Sequence, residues 1–254
     1  MKIAVDLNCD MGEAFGAHTS GNDEVLIKYI TSANIACGFH AGDFSVMQQT
    51  VQLAIRNKVS IGAHPSLPDL QGFGRRNMNV TPNEVYELTL YQIGALNAFT
   101  VANNATLHHV KPHGSLYNMA AKDRKLADAI VRASIDFNPK LILYGLANSE
   151  LIESAKQQKL AYCEEVFADR TYQADGTLTP RNQEGALIES AESAIDQVLR
   201  MIESKTVSTK HGVIIPINPG TICIHGDGSH ATEFAQAIHQ KLKAQGVQLV
   251  SPTT

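Results

Sequence analysis

The sequence predicts an α/β fold in which a distorted barrel of seven parallel strands is covered by helices, in one domain over residues 1–254. Strand-like and helix-like segments alternate along the chain, and repeated βα units of this kind form mainly parallel sheets. The strand-like segments number seven, one fewer than a regular TIM barrel contains, so we expect a TIM-like barrel with distorted or incomplete closure. Ionisable residues follow six of the seven segments, at the strand ends where parallel barrels place active sites.

Each predicted strand is a short apolar run bounded by turn or polar residues. The seven runs are 2–8, 33–38, 59–64, 107–113, 141–146, 162–168 and 221–225. The segments between them carry apolar residues at helical spacing, and Thr81 followed by Pro82 and Glu84 predicts the capped start of the longest helix. Residues 207–219 contain β-forming residues on both sides of a Lys-His-Gly sequence, which predicts an additional hairpin.

Composition and charge narrow the range of partners. The chain has 21 Lys and Arg against 25 Asp and Glu, a net charge of −4, and its cations are dispersed, so we expect neither nucleic acid nor a membrane as a partner. The sequence has no signal-peptide pattern and no apolar run of roughly 20 residues, which predicts a cytoplasmic protein. The four cysteines lack C-x-x-C spacing and are predicted to be reduced and buried, with Cys37 the candidate exception.

The first predicted strand leads into four oxygen-bearing side chains. Asp6, Asn8 and Asp10 are spaced two residues apart and therefore share one face of an extended backbone, while Asp10 and Glu13 are expected in the loop that follows. If the shared face points into the barrel mouth, these groups bind a divalent cation, hold a nucleophilic water or share protons. The alternative is that Asp6 and Asn8 only bond backbone amides at the strand end.

Imidazoles and a lysine follow the next three strands. His40 and His64 follow neighbouring strands and can approach Asp10, which gives a mixed set of ligands that suits Zn, Mn or Fe. Each histidine is alternatively a general base, a hydrogen-bond donor to substrate or a structural bridge. Lys111 and His113 flank a rigid proline, which suits holding an anion or polarising a carbonyl, unless Lys111 only pairs with a nearby carboxylate.

Two long connections are predicted to be functional, because loops of this length are uncommon in tight α/β chains. Residues 65–80 contain Arg75 and Arg76 beside paired glycines, and two guanidiniums can clamp a carboxylate or a phosphate. Residues 169–181 contain Arg170 and an Asp-Gly turn signal, which predicts a lid. The alternative for both segments is an ordinary solvated loop.

Motifs distributed over nearly the whole chain resemble those of the LamB/YcsF family. They are Asp6-Leu7-Asn8-Cys9-Asp10-Met11-Gly12-Glu13, residues 32–43, Gly62-Ala63-His64-Pro65-Ser66, Gly72-Phe73-Gly74-Arg75-Arg76, residues 110–117, Glu165-Val166-Phe167-Ala168-Asp169-Arg170 and Ile224-His225-Gly226-Asp227. The resemblance implies a distorted seven-stranded barrel related to polysaccharide deacetylases. It also implies ATP-dependent hydrolysis of the 5-oxo-L-proline lactam to L-glutamate, with ADP and phosphate as further products, together with two partner 5-oxoprolinase subunits, B and C.

The resemblance also implies which residues form the site. The deacetylase relatives bind a metal through an Asp and two His residues, which here implies Asp10, His40 and His64, with His113 as the alternative histidine. The predicted catalytic residues are Asp10, Glu13, His40, Lys111 and His113. The predicted substrate-binding residues are Asn8, Asp43, Arg75, Glu165, Asp169, Arg170, His225 and Asp227.

Lactam opening assigns roles to these groups, because water must attack the carbonyl, the oxyanion must be stabilised and the ring nitrogen must be protonated. Asp10 or Glu13 is expected to activate water, Lys111 or a bound metal to face the oxyanion, and His113 to act as the acid. The substrate carboxylate is expected to meet an arginine from the long loops.

ATP is harder to place in this sequence. No P-loop and no dinucleotide fingerprint occurs, so nucleotide is expected at a site that the partner subunits carry or share. Two other functions stay open at this stage. One is a metal-dependent deacetylase or amidohydrolase that works alone, and the other is a regulatory subunit that binds a ligand without turnover.

Overall fold

Seven parallel strands close into a barrel in the computed structural model, which describes residues 3–16, 22–224 and 231–253. The strands in chain order are β1 (Ala4–Met11), β2 (Ser32–Ala36), β3 (Ser60–His64), β4 (Leu107–Val110), β5 (Ile142–Leu146), β6 (Ala161–Phe167), β7 (Thr206–Ser208), β8 (Ile214–Pro216), β9 (Thr221–Ile224) and β10 (Gln248–Leu249). Strands β1 to β6 and β9 follow one another around the barrel, and β9 pairs with both β6 and β1 to close it. The predicted seven-stranded TIM-like fold is confirmed.

Two strand ends differ from the prediction by three residues, and both differences move site residues. β1 continues to Met11 because its last residues pair with β2, so Asp10 lies opposite Asn34 within the sheet. The expectation that Asp10 lies in the following loop was wrong. β4 ends at Val110 rather than continuing to His113, and the nearby Pro112 has no N–H to extend the ladder.

Two small elements lie beside the barrel. β7 and β8 form an antiparallel pair within the segment predicted as a hairpin, which confirms that prediction. β10 pairs in parallel with the start of β1, where Ala4 and Val5 face Gln248 and Leu249. The chain therefore returns to the amino-terminal end of β1 after its last helix.

Helices cover the barrel between the strands. Within the described residues the α-helices are α1 (Asp23–Leu26), α2 (Phe44–Asn57), α3 (Pro82–Ala102), α4 (Gly114–Ala120), α5 (Arg124–Phe137), α6 (Glu150–Gln158), α7 (Ala191–Ser204) and α8 (Ala231–Ala244). The longest, α3, begins with the predicted cap, in which the Thr81 and Glu84 side chains each accept a hydrogen bond from the other's backbone N–H. None of these described helices combines the length and apolar composition needed to span a bilayer.

Side chains alternate along β1 between the apolar layer under the helices and the barrel lumen. Leu7 and Cys9 belong to the apolar core. Asn8 instead donates to Glu165 of β6 at 2.9 Å and accepts from Asn34 of β2 at 2.7 Å. These two strands are not neighbours, so only the lumen brings them to the same residue. The period-two face of β1 therefore points inwards and is polar.

Candidate active site

A buried lysine lies among acidic and amide oxygens in the lumen. Lys111 follows β4, and its Nζ lies 2.8 Å from Asp10 Oδ1 and 3.0 Å from Glu165 Oε1. The same ammonium donates to Asn8 Oδ1 at 3.2 Å and to Cys223 Sγ at 3.1 Å. Burial opposes the charged form, but Asp10, Cys223 and Glu165 outweigh it and raise the pKa of Lys111 well above its usual value. The lysine is therefore a fixed cation at neutral pH.

Glu165 is fully engaged inside this cluster. Its Oε2 accepts a hydrogen bond of 2.7 Å from Tyr117 Oη, and its Oε1 accepts one from Asn8. Burial, followed by Glu165 itself, raises the pKa of Tyr117 well above its usual value, so the phenol stays protonated and remains a donor. Glu165 consequently orients Lys111 from within the barrel wall.

Three histidine rings and one carboxylate form a second cluster beside Lys111. The ligand atoms of Glu13, His40, His64 and His113 all lie within 4.8 Å of one another. Glu13 Oε1 is 3.1 Å from His40 Nε2 and 3.6 Å from His113 Nδ1. The ring nitrogens His64 Nε2 and His113 Nδ1 are only 2.9 Å apart.

Backbone carbonyls decide the tautomers of two of these rings. The Nδ1–H of His64 donates to the Lys111 carbonyl at 2.7 Å, and the Nε2–H of His113 donates to the Phe73 carbonyl at 2.9 Å. A carbonyl only accepts, so both of these nitrogens carry the proton. The other nitrogens of the two rings, His64 Nε2 and His113 Nδ1, lie 2.9 Å apart, and both can serve as ligands to one cation.

The third ring strengthens the case for neutral imidazoles. His40 stacks on His113 with ring centroids 3.7 Å apart and an interplanar angle of 5°. Burial, followed by neighbouring histidines, lowers the pKa of His40 and of His113 well below the ordinary histidine value. Neutral rings are the form in which histidine binds a metal. His40 Nδ1 is buried and makes no hydrogen bond in the described residues.

The donor set therefore fits a divalent transition metal. A carboxylate and three imidazoles suit Zn, Mn or Fe, and carbonyl acceptors that orient the ring nitrogens are usual behind metal-binding histidines. Two of the predicted metal ligands, His40 and His64, belong to the cluster together with His113, the predicted alternative, whereas Glu13 was not among the predicted ligands. Asp10 borders the cluster through Oδ2, which is 3.3 Å from His64 Nε2.

An open cavity of about 850 Å³ connects both clusters to solvent. Its inner wall includes Asp10, Glu13, His64, Lys111 and His113, and its outer wall includes Arg75, Arg76, Arg170 and Arg181. The segment predicted as a lid, residues 169–181, contributes several of the residues that line the cavity. Arg170 donates to the Thr179 and Ala186 carbonyls, and burial followed by the nearby Arg181 lowers its pKa to about 10. The guanidinium thus stays charged while it ties this loop together.

Residues 5–254 match the LamB/YcsF family. The chain belongs to the LamB/YcsF family. It is 55% identical over 247 residues to a Bacillus subtilis protein that is named as the A subunit of 5-oxoprolinase, and the match covers 97% of this chain and 96% of that protein.

Solved structures extend the comparison. The crystal structure of Lactam Utilization Protein from Thermus thermophilus matches this LamB/YcsF protein with a TM-score of 0.93 and 42% identity, over 98% of this chain and 100% of that one. The catalytic domain of peptidoglycan N-acetylglucosamine deacetylase from Eubacterium rectale matches with a TM-score of 0.52 and 14% identity, over 100% and 90% of the two chains. The second likeness is one of fold, and it agrees with the predicted relation to polysaccharide deacetylases.

Several predicted site residues of this LamB/YcsF protein lie elsewhere. Asp43 caps α2 by accepting from the Val46 N–H at 2.9 Å and is not among the residues that line the cavity. Arg76 pairs with Asp69, and both Arg75 and Arg76 line the cavity. Asp169 is not among the residues that line the cavity, and His225 and Asp227 lie outside the described residues.

The sequence prediction missed three buried side chains that contact the site. Tyr117 donates to Glu165, Asn34 donates to Asp10 at 2.8 Å, and His109 contacts Asn34 at 2.8 Å. For Asn34 and His109, period-two spacing could have indicated a place in the lumen, because residues two apart on a strand share a face. Asn34 lies on the inward face of β2, and His109 lies two residues before Lys111. That signal identifies the lumen face only after the strand register is known.

Proposed function

We propose that this LamB/YcsF protein is the A subunit of an ATP-dependent 5-oxoprolinase. The proposed reaction hydrolyses the lactam of 5-oxo-L-proline to L-glutamate while ATP is hydrolysed to ADP and phosphate, and it requires partner subunits B and C. The observation that carries the proposal is the 55% identity, over 97% of the chain, to a protein named as the A subunit of 5-oxoprolinase. The close structural match to a lactam utilization protein supports the same substrate class.

The chemistry of the lumen is compatible with amide hydrolysis. In the proposed reaction, water adds to the lactam carbonyl carbon, the ring C–N bond breaks and the nitrogen leaves as an amine. Asp10 is the proposed base, because Oδ1 is held by Lys111 while Oδ2 faces the histidine cluster. A carboxylate that takes the proton of the attacking water can return it to the departing nitrogen. This assignment replaces His113 as the acid, because its Nδ1 is directed into the cluster.

A metal held by Glu13, His40, His64 and His113 would supply Lewis acidity and lower the pKa of a bound water. The chain's own contribution is to present neutral imidazole lone pairs, since carbonyl groups fix the protons of His64 and His113 on the opposite ring nitrogens. Lys111 adds a fixed positive charge near Asp10, which favours an oxyanion that develops at the inner wall.

The arginines on the outer wall are the proposed contacts for the substrate carboxylate. Arg75 and Arg170 line the same cavity as Asp10, and a guanidinium binds a carboxylate with two parallel hydrogen bonds. Arg75 lies over the Phe73 ring at 4.8 Å from its centroid, beside the carbonyl that orients His113. Because the sequence has no phosphate loop, we assign ATP to a site that the partner subunits carry or share.

The decisive experiment is an assay of 5-oxo-L-proline opening by the chain with subunits B and C, with ATP present or omitted. We expect L-glutamate and phosphate only when all three proteins and ATP are present. Ring opening at the full rate by the isolated chain without ATP would identify a hydrolase that works alone. Unchanged activity of Asp10→Asn in an assembled complex would show that the proposed base is wrong.

A separate measurement tests the metal cluster. The metal content of the purified chain is compared with that of His113→Ala and of a matched control, His239→Gln. His239 also contacts a backbone carbonyl, that of Tyr29 at 2.9 Å, but lies on α8 away from the cavity. We expect stoichiometric metal in the wild type and the control and a loss of about 10- to 100-fold in affinity in His113→Ala. Equal metal content in all three proteins would exclude the cluster as the metal site.

A further inference from the structure

A row of hydrogen-bonded side chains runs from Asp10 away from the cavity to the carboxyl-terminal segment. Asp10 contacts Asn34, and Asn34 Oδ1 lies 2.8 Å from His109 Nε2. His109 Nδ1 lies 2.9 Å from His108 Nδ1, and His108 Nε2 lies 2.8 Å from the Pro252 carbonyl oxygen. Asn34 and His109 are completely buried, and neither is used by the proposed reaction steps.

The orientation of the Asn34 amide follows from its partners at the other end. Its Nδ2 lies 2.8 Å from Asp10 Oδ1 and 2.7 Å from Asn8 Oδ1. Asp10 Oδ1 also accepts from the Lys111 ammonium at 2.8 Å, so this oxygen acts as an acceptor. The NH₂ group of Asn34 must face these oxygens, which leaves its carbonyl oxygen facing His109. His109 must consequently carry a proton on Nε2.

The proton on Nε2 fixes the rest of the row. Burial, followed by His108, lowers the pKa of His109 well below the usual value, so His109 is neutral and its Nδ1 has only a lone pair. His109 Nδ1 therefore accepts from His108 Nδ1 at 2.9 Å. His108 Nε2 lies against the Pro252 carbonyl oxygen, and this ring is the less buried of the two.

The His109 ring has no room to take another orientation. It stacks on Tyr144 with centroids 4.0 Å apart and an interplanar angle of 12°. On the adjacent strand, a Cβ at Gly62 would lie 2.0 Å from His109 Nε2, so only glycine leaves space for the ring. Tyr144 is itself linked to Ser32 by a hydrogen bond of 3.0 Å. The donor on His109 is thus held at one position.

We propose that His109 is a positioning residue that acts through Asn34 on Asp10, and that the contact of His108 with His109 Nδ1 fixes the tautomer this requires. By holding the Asn34 NH₂ toward Asp10 Oδ1, the row keeps the carboxylate rotated so that Oδ2 faces His64 and the cavity. The effect of this orientation on turnover rests on the proposed function, whereas the orientation itself does not.

The test compares His109→Leu with His109→Gln in the full chain, as crystal structures and in the complex with subunits B and C. Glutamine places an amide N–H close to the position of His109 Nε2, and leucine does not. We expect Asn34 and Asp10 to keep their orientation in the Gln variant and to rotate in the Leu variant. We also expect kcat for 5-oxo-L-proline to fall by about 10- to 100-fold in the Leu variant with KM little changed, and to recover most of that loss in the Gln variant.

Nitrogen NMR of histidine-labelled isolated chain gives an independent reading. Near neutral pH we expect His109 as the neutral ring protonated on Nε2. A proton on His109 Nδ1, or an unmoved Asp10 in a folded Leu variant, would overturn the proposal. If the wild-type complex does not open 5-oxo-L-proline, the proposed function fails, while the crystal structures and the NMR spectra still decide the positioning role.

Discussion

Replacing Lys111 by methionine tests whether the lumen depends on one buried cation. Methionine has a similar length and leaves no large cavity, so the change removes mainly the charge. Asp10 and Glu165, which lie 2.8 and 3.0 Å from the ammonium, would then share a buried space with no positive partner. Both carboxylates keep other hydrogen bonds, from Asn34 and Tyr117 respectively, so the loss is specific to the ion pair.

The size of the effect follows from the burial of all three groups. Breaking a buried ion pair by removing one partner costs about 3–5 kcal/mol, because an uncompensated buried charge remains. A protein with a free energy of unfolding of about 5–15 kcal/mol stays folded but is strongly weakened. With a urea m value of about 3 kcal/mol/M, the midpoint of unfolding falls by about 1–2 M. Equilibrium unfolding in urea, followed by circular dichroism, measures this directly.

Two further variants make the result interpretable. Lys122→Met removes a cation that is largely exposed and 3.8 Å from Asp175, and we expect a change within about 0.5 kcal/mol. A triple variant that adds Asp10→Asn and Glu165→Gln to Lys111→Met removes the unpaired charges and is expected to recover most of the lost stability. A loss below about 1 kcal/mol for Lys111→Met alone would refute the reasoning, because that is the range of exposed pairs.

Three other outcomes are expected. Burial lowers the pKa of His40, His109 and His113 well below 6.5, so below that pH the unfolded chain binds more protons than the folded chain. The free energy of unfolding should therefore keep its full contribution from these residues above pH 6.5 and decrease as the pH is lowered below 6.5, which thermal melts across pH will show. Gly62→Ala brings a Cβ within 2.0 Å of the His109 ring and should destabilise the protein by about 1–3 kcal/mol in urea unfolding, whereas an unchanged midpoint would contradict the close contact. Burial raises the pKa of Cys37 to about 12, so a thiol reagent should modify it near neutral pH only after unfolding; rapid labelling of the native chain would contradict this.

The barrel itself could be predicted because its signals are local and repeated. Each strand is a short apolar run followed by a polar loop and a helical pattern, and seven such runs fix the number of strands. Exact strand ends depend on partners that are distant in sequence. Asp10 remains in β1 because β2 pairs with that part of the strand, and the sequence around Asp10 does not indicate this pairing.

The sequence predicted which residues lie together in the candidate site but not their contacts. Asp10, His40, His64, Lys111 and His113 were all proposed from their places at strand ends. These residues divide into an ion-pair cluster and a histidine cluster because backbone carbonyls fix the ring orientations. For example, the Lys111 carbonyl accepts a hydrogen bond from His64. Asp43 shows the opposite case, since a carboxylate just before a helix serves equally well as a cap.

The polar lumen links the closure of the barrel to the chemistry. Thr221 of the closing strand donates to Asp6 Oδ2 at 2.6 Å and accepts from Asn8 at 2.7 Å, and Asn8 in turn contacts Lys111. Asn8 therefore belongs both to the seam between the first and last barrel strands and to the oxygens around Lys111. Apolar residues of similar volume would often stabilise such an interior at least as well. An apolar lumen would, however, have neither the cation nor the oriented carboxylate that the proposed reaction requires.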